Sequence, residues 1–318
     1  MAEFRIDPLR GHTVLINGQR GARPSEFTVS ITTPDNSNCA FCRGNEHMTP
    51  SAIEQDNEGN WDMRLFPNRF PAVEKDAKCS IEFNLAFAAV GSHEVLVETA
   101  DHFAQAFDYS VTKWLSIFQL WQRRLRALYQ VQGTAYVHIF RNQGYRGGAT
   151  LVHPHQQIVS LPVVPDYIER RISKSAFDQD EGCQHCRWVA FERDNKVRIL
   201  EERCDSILLV AFAPRFSFEM QILSSQHMRF DELSNEQLLA VAEMLSRSLK
   251  ALARSNDNPD YNLVLFSTPP NRYDAKLWAI DIIPRIGTQA GFEWGTGVHI
   301  VSMPPEEAAR TLRSHWPD

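Results

Sequence analysis

The residues best suited to chemistry are concentrated in one stretch, Asn142-Gln143-Gly144-Tyr145-Arg146-Gly147-Gly148-Ala149-Thr150-Leu151-Val152-His153-Pro154-His155-Gln156-Gln157-Ile158. His153 and His155 stand two apart, so on an extended backbone they share a face, and Gln157 joins them there. Pro154 holds its own φ and biases His153 towards the extended conformation that this alternation needs. Gly144, Gly147 and Gly148 let the backbone come close to a ligand and leave N–H groups free to cradle phosphate. A neutral imidazole attacks phosphorus near pH 7 and leaves again. A lone histidine is most often a packed or surface residue. Two on one face behind a glycine cluster read instead as phosphoryl or nucleotidyl transfer.

The cysteines supply the second constellation. Four of the six fall in two CxxC pairs, Cys39/Cys42 and Cys183/Cys186, while Cys79 and Cys204 stand apart as ordinary thiols. No βαβ pattern surrounds Cys39/Cys42, so zinc is the better reading there than redox exchange, and in a cytosolic chain both pairs read first as metal ligands. Cys39, Cys42 and His102 provide three ligands, and a closed structural zinc site takes four. His153 is the natural fourth, which separates two roles: His153 anchors the strand and His155 attacks. In the second set Cys183, Cys186 and His227 repeat three ligands, but the fourth position is Leu277. Asp281, His185 or water completes that site, or it holds no metal.

These groups need elements to position them. Alternation from Phe4 to Thr33 around Gly11, Gly18 and Gly21 predicts short strands and turns. Apolar residues at three- and four-residue steps predict a long helix from Asp108 to about Gln130, followed by a strand from Ala135 to Arg141. A second long helix, about Ser234 to Arg254, opens with a Ser234/Gln237 capping box. Strands are expected near Val95–Val97, Ile207–Ala213, Phe218–Leu223, Asn262–Ser267 and Leu277–Ile282. The order CxxC, histidine, helix, strand, motif strand occurs twice, and His102 precedes His153 by about the interval that separates His227 from Leu277. We read a divergent tandem duplication, residues 1–165 and 166–318. The fold class is α+β, two fused halves of antiparallel sheet with long helices packed on them. His153, His155, Gln157 and Ile158 fall opposite Leu277, Ala279, Asp281 and Ile282, so only the first half keeps a nucleophile.

The segment His153-Pro154-His155-Gln156-Gln157 resembles the HPHxQ signature of the galactose-1-phosphate uridylyltransferase family, a branch of the histidine-triad superfamily. Asp7-Pro8-Leu9, Arg20-Gly21-Ala22-Arg23-Pro24, Cys39-Ala40-Phe41-Cys42 and Asn68-Arg69-Phe70-Pro71-Ala72 resemble its other blocks in the same order. The resemblance implies a double displacement: His155 attacks the α-phosphorus of a nucleoside diphosphate sugar, sugar 1-phosphate leaves, and a second phosphate or sugar 1-phosphate takes the nucleotidyl group. It carries the same zinc ligands onto Cys39, Cys42, His102 and His153. Gln157 would donate to a nonbridging α-phosphate oxygen. Asn142, Gly147, Gly148 and Thr150 (in place of the family's serine) would position phosphates, and Asn68 would contact the nucleotide. Arg20 and Arg23, otherwise a solvated surface pair, would reach substrate phosphates, across a homodimer interface by the same resemblance. Phe292 lies in Gly291-Phe292-Glu293-Trp294-Gly295-Thr296-Gly297, where hexose-binding members carry lysine, tyrosine and glutamate. That segment looks more like plant-type relatives that exchange an adenylyl group between ADP-glucose and phosphate, so uracil and adenine both stay open. A dinucleotide phosphorylase or hydrolase is the rival enzyme, and a retired nucleotide-binding zinc protein the rival outside catalysis.

Bulk properties agree with a folded enzyme. The chain has 318 residues, 43% hydrophobic and 23% charged, enough for one large or two ordinary cores. A formal net charge of −6 argues against a nucleic-acid binder driven by phosphate contacts. No apolar run approaches the roughly 18 residues of a membrane span, and Met1-Ala2-Glu3-Phe4-Arg5 has no apolar signal core. A cytoplasmic location is expected.

Overall fold

The structure, a computed structural model, describes residues 2–17, 38–79, 86–178, 182–272 and 275–317. From the N-terminus, β1 (Ala2–Ile6) and β2 (Thr13–Asn17) pair antiparallel. Then come β3 (Glu54–Gln55), β4 (Arg64–Pro67), β5 (Ser92–Val97) and the first long helix, α1 (Val111–Tyr129). β6 (Tyr136–Gln143) and β7 (His155–Leu161) flank the glycine-rich turn. Next are α2 (Asp166–Ser175), the small pair β8 (Phe177–Asp178) and β9 (Gly182–Cys183), and α3 (Gln184–Asn195). β10 (Ile199–Arg203), β11 (Ser206–Val210) and β12 (Met220–Ser224) lead to the second long helix, α4 (Asn235–Asn256). β13 (Tyr261–Ser267), β14 (Trp278–Pro284), the short α5 (Gly291–Thr296), β15 (His299–Val301) and α6 (Pro305–Ser314) complete the chain.

Ten of the strands form one antiparallel sheet in the order β10-β11-β12-β14-β13-β6-β7-β5-β4-β3. The expected antiparallel sheets therefore merge at a β6–β13 seam, where Asn262 lies opposite Asn142 and Tyr261 opposite Gln143. Strand order is mirrored about that seam. β15 adds to β2 in parallel, making a separate three-stranded sheet.

One face of the large sheet is closed by α1 and α4. Trp114, Phe118 and Trp121 of α1 and Leu238, Val241, Leu245 and Leu249 of α4 pack against Ile139, Ile158, Leu265 and Ile280. Each such side chain contributes about 1.5–3 kcal/mol by leaving water. Helix starts follow their caps. Ser110 accepts from the Lys113 N–H, so α1 begins at Val111, after a 3₁₀ turn at Ala106–Asp108 that the periodicity ran into the helix. The Ser234/Gln237 capping box starts α4 as expected. The strand expected to run to Ala213 stops at Val210, and Phe218, at φ 65°, belongs to the turn before β12.

The opposite face is covered differently in its two parts. In the second half α2 and α3 cover it, with Ile168, Ile172 and Val189 on Leu209, Leu223 and Ala279. In the first half a smaller cluster of Trp61, Phe66, Val95 and Val97, with Phe41, covers part of it. What stays uncovered there is the pocket.

Candidate active site and metal centre

Alternation along β7 sorts its side chains between the two faces. Gln156 and Ile158 turn towards α1: Trp121 Nε1 donates to Gln156 Oε1 at 2.6 Å, and Gln156 Nε2 donates to Glu98 Oε1 at 2.7 Å. His155 and Gln157 are thereby directed to the other face, where both line a cavity of about 330 Å³. Thr49, Asn68, Arg69 and Thr150 are its other polar lining residues, and Phe41 and Phe66 give it an apolar side. A larger cavity of about 640 Å³, beside Phe107, Lys250 and Arg254, holds none of the nucleophilic or metal-ligating groups.

His155 is 8% exposed, and its Nδ1 lies 2.8 Å from the His153 carbonyl oxygen. A carbonyl only accepts, so Nδ1 carries the hydrogen and Nε2 keeps its lone pair. Burial pushes this imidazole below its ordinary pKa, against the opposite pull of the His153 carbonyl and Glu98. The ring is neutral at pH 7. Behind β7, Glu98 accepts from Arg141 Nε at 2.8 Å and from the Tyr109 hydroxyl at 2.9 Å, a buried network beneath His155.

The glycine turn is held by the other side of the seam. Asp260 Oδ2 accepts from the Arg146 N–H at 2.7 Å, and a Cβ on Gly144 would stand 1.7 Å from Asp260 Oδ1. A Cβ on Gly147 would stand 2.2 Å from the Gln143 carbonyl oxygen, too close for any side chain. Asn262 Nδ2 donates to the Gly147 carbonyl at 2.6 Å and to Asn142 Oδ1 at 2.9 Å. The carbonyl fixes which end of Asn262 is the NH₂. Asn142 must then turn its oxygen to Asn262 and keep its own NH₂ free beside Gly148. Sequence reasoning missed Asp260, Asn262 and Glu98. No local motif marks them, and only the pairing of β6 with β13 and of β5 with β7 brings them to the site.

The metal-ligand set assembles as expected. Ligand atoms of Cys39, Cys42, His102 and His153 all lie within 4.8 Å of one another. His102 Nδ1 is 3.3 Å from Cys42 Sγ, and His153 Nδ1 is 3.5 Å from Cys42 Sγ and 3.7 Å from Cys39 Sγ. His153 Nε2 donates to the Thr99 carbonyl at 2.7 Å, which leaves Nδ1 turned to the two cysteine sulfurs and able to ligate. Burial and then Cys39 push the Cys42 thiol up to about 11, so loading a divalent cation must release thiol protons.

In the second half Cys183, Cys186 and His227 also converge, at a more exposed place. Asp281 does not join them. It is buried, with Arg171 Nη1 at 3.0 Å and Gln221 Nε2 at 2.7 Å on its oxygens. Burial works to raise its carboxyl, but Arg171, Arg10 and Arg215 outweigh that and hold it below the ordinary range. Asp281 is thus an ion-pair partner and is corrected from a candidate ligand. His185 is not among the three converging residues either, and its Nε2 donates to the Ser224 carbonyl at 2.6 Å. Cys79 and Cys204 are exposed.

Phe292, 46% exposed on α5, does not line the His155 cavity. Arg20 and Arg23 lie outside the described residues. Among the described residues no helix is long and apolar enough to cross a membrane.

Comparison with known proteins agrees with this geometry. A family model for the galactose-1-phosphate uridyl transferase N-terminal domain matches residues 1–165, just over half of the chain. An ADP-glucose phosphorylase of Arabidopsis thaliana is 26% identical over 328 residues, covering 98% of this chain and 92% of that protein. A galactose-1-phosphate uridylyltransferase of Thermotoga maritima is 28% identical over 331 residues, covering 98% of each. The crystal structure of an Arabidopsis thaliana ADP-glucose phosphorylase with bound ADP-glucose superposes with a TM-score of 0.85 at 25% identity, covering 98% of both chains. The chain belongs to the galactose-1-phosphate uridylyltransferase family and is a nucleotidyl-transferring enzyme.

Proposed function

We propose that the enzyme moves a nucleotidyl group from a nucleoside diphosphate sugar through a covalent nucleotidyl-His155, with ADP-glucose as the donor and inorganic phosphate as the acceptor. The observation that carries the covalent step is the His155 Nδ1–H bond to the His153 carbonyl, which leaves Nε2 unprotonated at the cavity wall. Nε2 attacks the α-phosphorus. The bond from phosphorus to the bridging oxygen breaks, and glucose 1-phosphate leaves with that electron pair. The ring then bears positive charge, which the His153 carbonyl and the buried Glu98 favour. A phosphate oxygen attacks next, the P–N bond breaks, ADP forms and neutral His155 returns. The Nδ1 hydrogen never moves. The choice of adenine is supported by likeness to the plant phosphorylase along nearly the whole chain. UDP-glucose with a sugar 1-phosphate acceptor is the second reading, supported by the uridylyltransferase of similar coverage.

Intact mass after brief incubation with each donor separates these. An AMP-sized adduct from ADP-glucose is expected. A UMP-sized adduct from UDP-glucose alone would move the enzyme to the uridylyl branch, and no adduct from either would sink the covalent mechanism.

Asn68, Asn142, Gly147, Gly148 and Thr150 are proposed to hold the phosphates and nucleotide beside His155 and Gln157. Asn262→Asp tests this arrangement. A carboxylate there repels the Gly147 carbonyl and Asn142 Oδ1, so Asn142 turns its oxygen towards the phosphates. A loss of roughly 10–100-fold in kcat is expected from misplacing one donor, and unchanged kcat would remove Asn142 from the site.

Zinc is the metal proposed for Cys39, Cys42, His102 and His153. Tetrahedral zinc with Zn–S about 2.3 Å and Zn–N about 2.0–2.1 Å places S and N ligands roughly 3.5 Å apart. The separations of 3.3, 3.5 and 3.7 Å suit that geometry before any ion is added. Its role is structural, to anchor His153. Cys183, Cys186 and His227 would hold a second ion with only three protein ligands, Leu277 being fully apolar. The mirrored strand order supports the reading of residues 1–165 and 166–318 as duplicated halves. Ala279 and Asp281 are read opposite His155 and Gln157, and Asp281 is taken up by ion pairs with Arg171 and Arg10, which supports one active site per chain. A homodimer in which Arg20, Arg23 and Phe292 reach the partner's substrate belongs to the same proposal, since Phe292 stands away from the cavity of its own chain.

A further inference from the structure

Gln157 can serve the transferred phosphate only if its amide presents nitrogen, and oxygen would repel the same phosphate. An amide has no intrinsic preference between the two orientations, so something beside it must choose. On β5, Val95 lies opposite Gln157, which makes His93 the diagonal neighbour on the same face. His93 Nε2 stands 2.8 Å from Gln157 Oε1. On the other side of the ring, the Ala72 backbone N–H donates to His93 Nδ1 at 3.0 Å.

A backbone N–H cannot turn round, and a neutral imidazole carries one hydrogen. Nδ1 is therefore the acceptor and Nε2 carries the hydrogen. Nε2–H must donate, so Gln157 must show it oxygen, and the Gln157 NH₂ is left facing the cavity. Asn68 Nδ2 also lies 3.1 Å from His93 Nε2, but the Phe70 N–H holds Asn68 Oδ1 at 2.9 Å. Asn68 thus offers only a donor, which a protonated Nε2 cannot accept, and its hydrogens go to the open pocket. Burial, the largest influence on His93, lowers its pKa against the pull of Gln157 and Glu94, which keeps the ring neutral.

We infer that His93 is a positioning residue for the transfer step: through Ala72 N–H, His93 and Gln157 Oε1, the backbone of the 68–72 loop determines that Gln157 points a donor at the α-phosphate. The inference rests on the nucleotidyl-transfer reading of the cavity. It also gives the Asn68–Ala72 block a task beyond contacting nucleotide, since seating the loop selects the His93 tautomer.

The test is a double-mutant cycle on the rate of nucleotidyl-enzyme formation from ADP-glucose or UDP-glucose, whichever labels the wild type, measured by rapid quench and mass. His93→Leu, which frees the Gln157 amide to turn without removing it, should slow that step roughly 30–100-fold, short of the about 10²–10³-fold of a transition-state donor removed outright, while donor binding changes less than about threefold. Gln157→Ala should slow it by a similar factor or more. The double variant should be no slower than Gln157→Ala alone, because His93 acts only through Gln157. His93→Gln, whose Nε2 can reach Gln157, should recover to within about fivefold of wild type, and His93→Asn, too short to reach, should not. Multiplying effects in the double variant, or a wild-type rate in His93→Leu, overturns the inference while the covalent mechanism stands. Absence of any adduct on the wild type overturns the mechanism and the inference with it. If His93→Leu does not fold, the glutamine and asparagine variants decide, and asparagine outperforming glutamine overturns the inference.

Discussion

Replacing His155 by alanine should lower turnover by at least about 10⁴-fold, the scale on which a nucleophile's loss is felt, and should leave metal content at the wild-type level. The structure separates the two properties cleanly. The described contacts of the His155 ring are the Nδ1 bond to the His153 carbonyl and the edge of Phe41, with ring centroids 5.2 Å apart. Neither holds the ligand set together. The four ligand side chains have bonds of their own, such as His153 Nε2 to Thr99. Kinetics with the labelling donor, together with metal analysis of the same preparation, would check this. Turnover within tenfold of wild type would show that another group attacks phosphorus. A parallel loss of metal would show that the roles of the two histidines are not separate.

The second large effect is the converse. His153→Ala, or removal of the metal by a chelator, should release the ion and lower activity roughly 10²-fold or more, together with the melting temperature. The reason is geometric. The side chain of His153 belongs to the candidate metal-ligand set and its backbone carbonyl holds the Nδ1 hydrogen of His155, so one residue would link a bound ion to the tautomer of His155. Freed of its ligand, this carbonyl loses its fixed position just before β7, and Nε2 no longer has a single direction. Metal content, melting temperature and adduct rate measured on one sample would check all three. A His153→Ala enzyme that loses the ion yet forms adduct at the wild-type rate would show that the metal serves stability alone.

Where sequence reasoning succeeded, the signal was local. The pairing of histidines two apart, the CxxC spacings, the Ser234 capping box and the helical stripes each depend on residues within a turn or two of one another. Their consequences, a shared face, a ligand pair, a helix start and a buried side, follow from backbone geometry alone. Misplaced boundaries also have local causes. Ser110 takes the cap and shortens α1, and Phe218 adopts a left-handed turn that delays β12.

The residues that escaped notice are those whose partners are distant in the chain. Asp260 and Asn262 read in sequence as an unremarkable approach to a strand, yet across the seam they hold Gly147, Arg146 and Asn142. Asp281 is one of the groups the sequence offers to complete the second ligand set, where the fourth position is Leu277. Its fate was decided by Arg171 from α2 and Arg10 from the N-terminal segment, which neutralise it in a buried network. Residues of the second part of the chain thus hold the glycine turn of the first.

The sequence by itself determined the chemistry available: two imidazoles and a glutamine on one strand face, a glycine-rich turn before them and two cysteines and two histidines able to hold a metal, because residue type and short spacing establish which groups can share a face. Only the tertiary structure decided orientation. Which nitrogen of His155 is free, which ends of Asn142 and Gln157 are donors, and which acids are already paired depend on strand register and on backbone groups brought together from opposite parts of the chain. A hydrogen bond has a direction, and that direction is settled by the partner rather than by the residue.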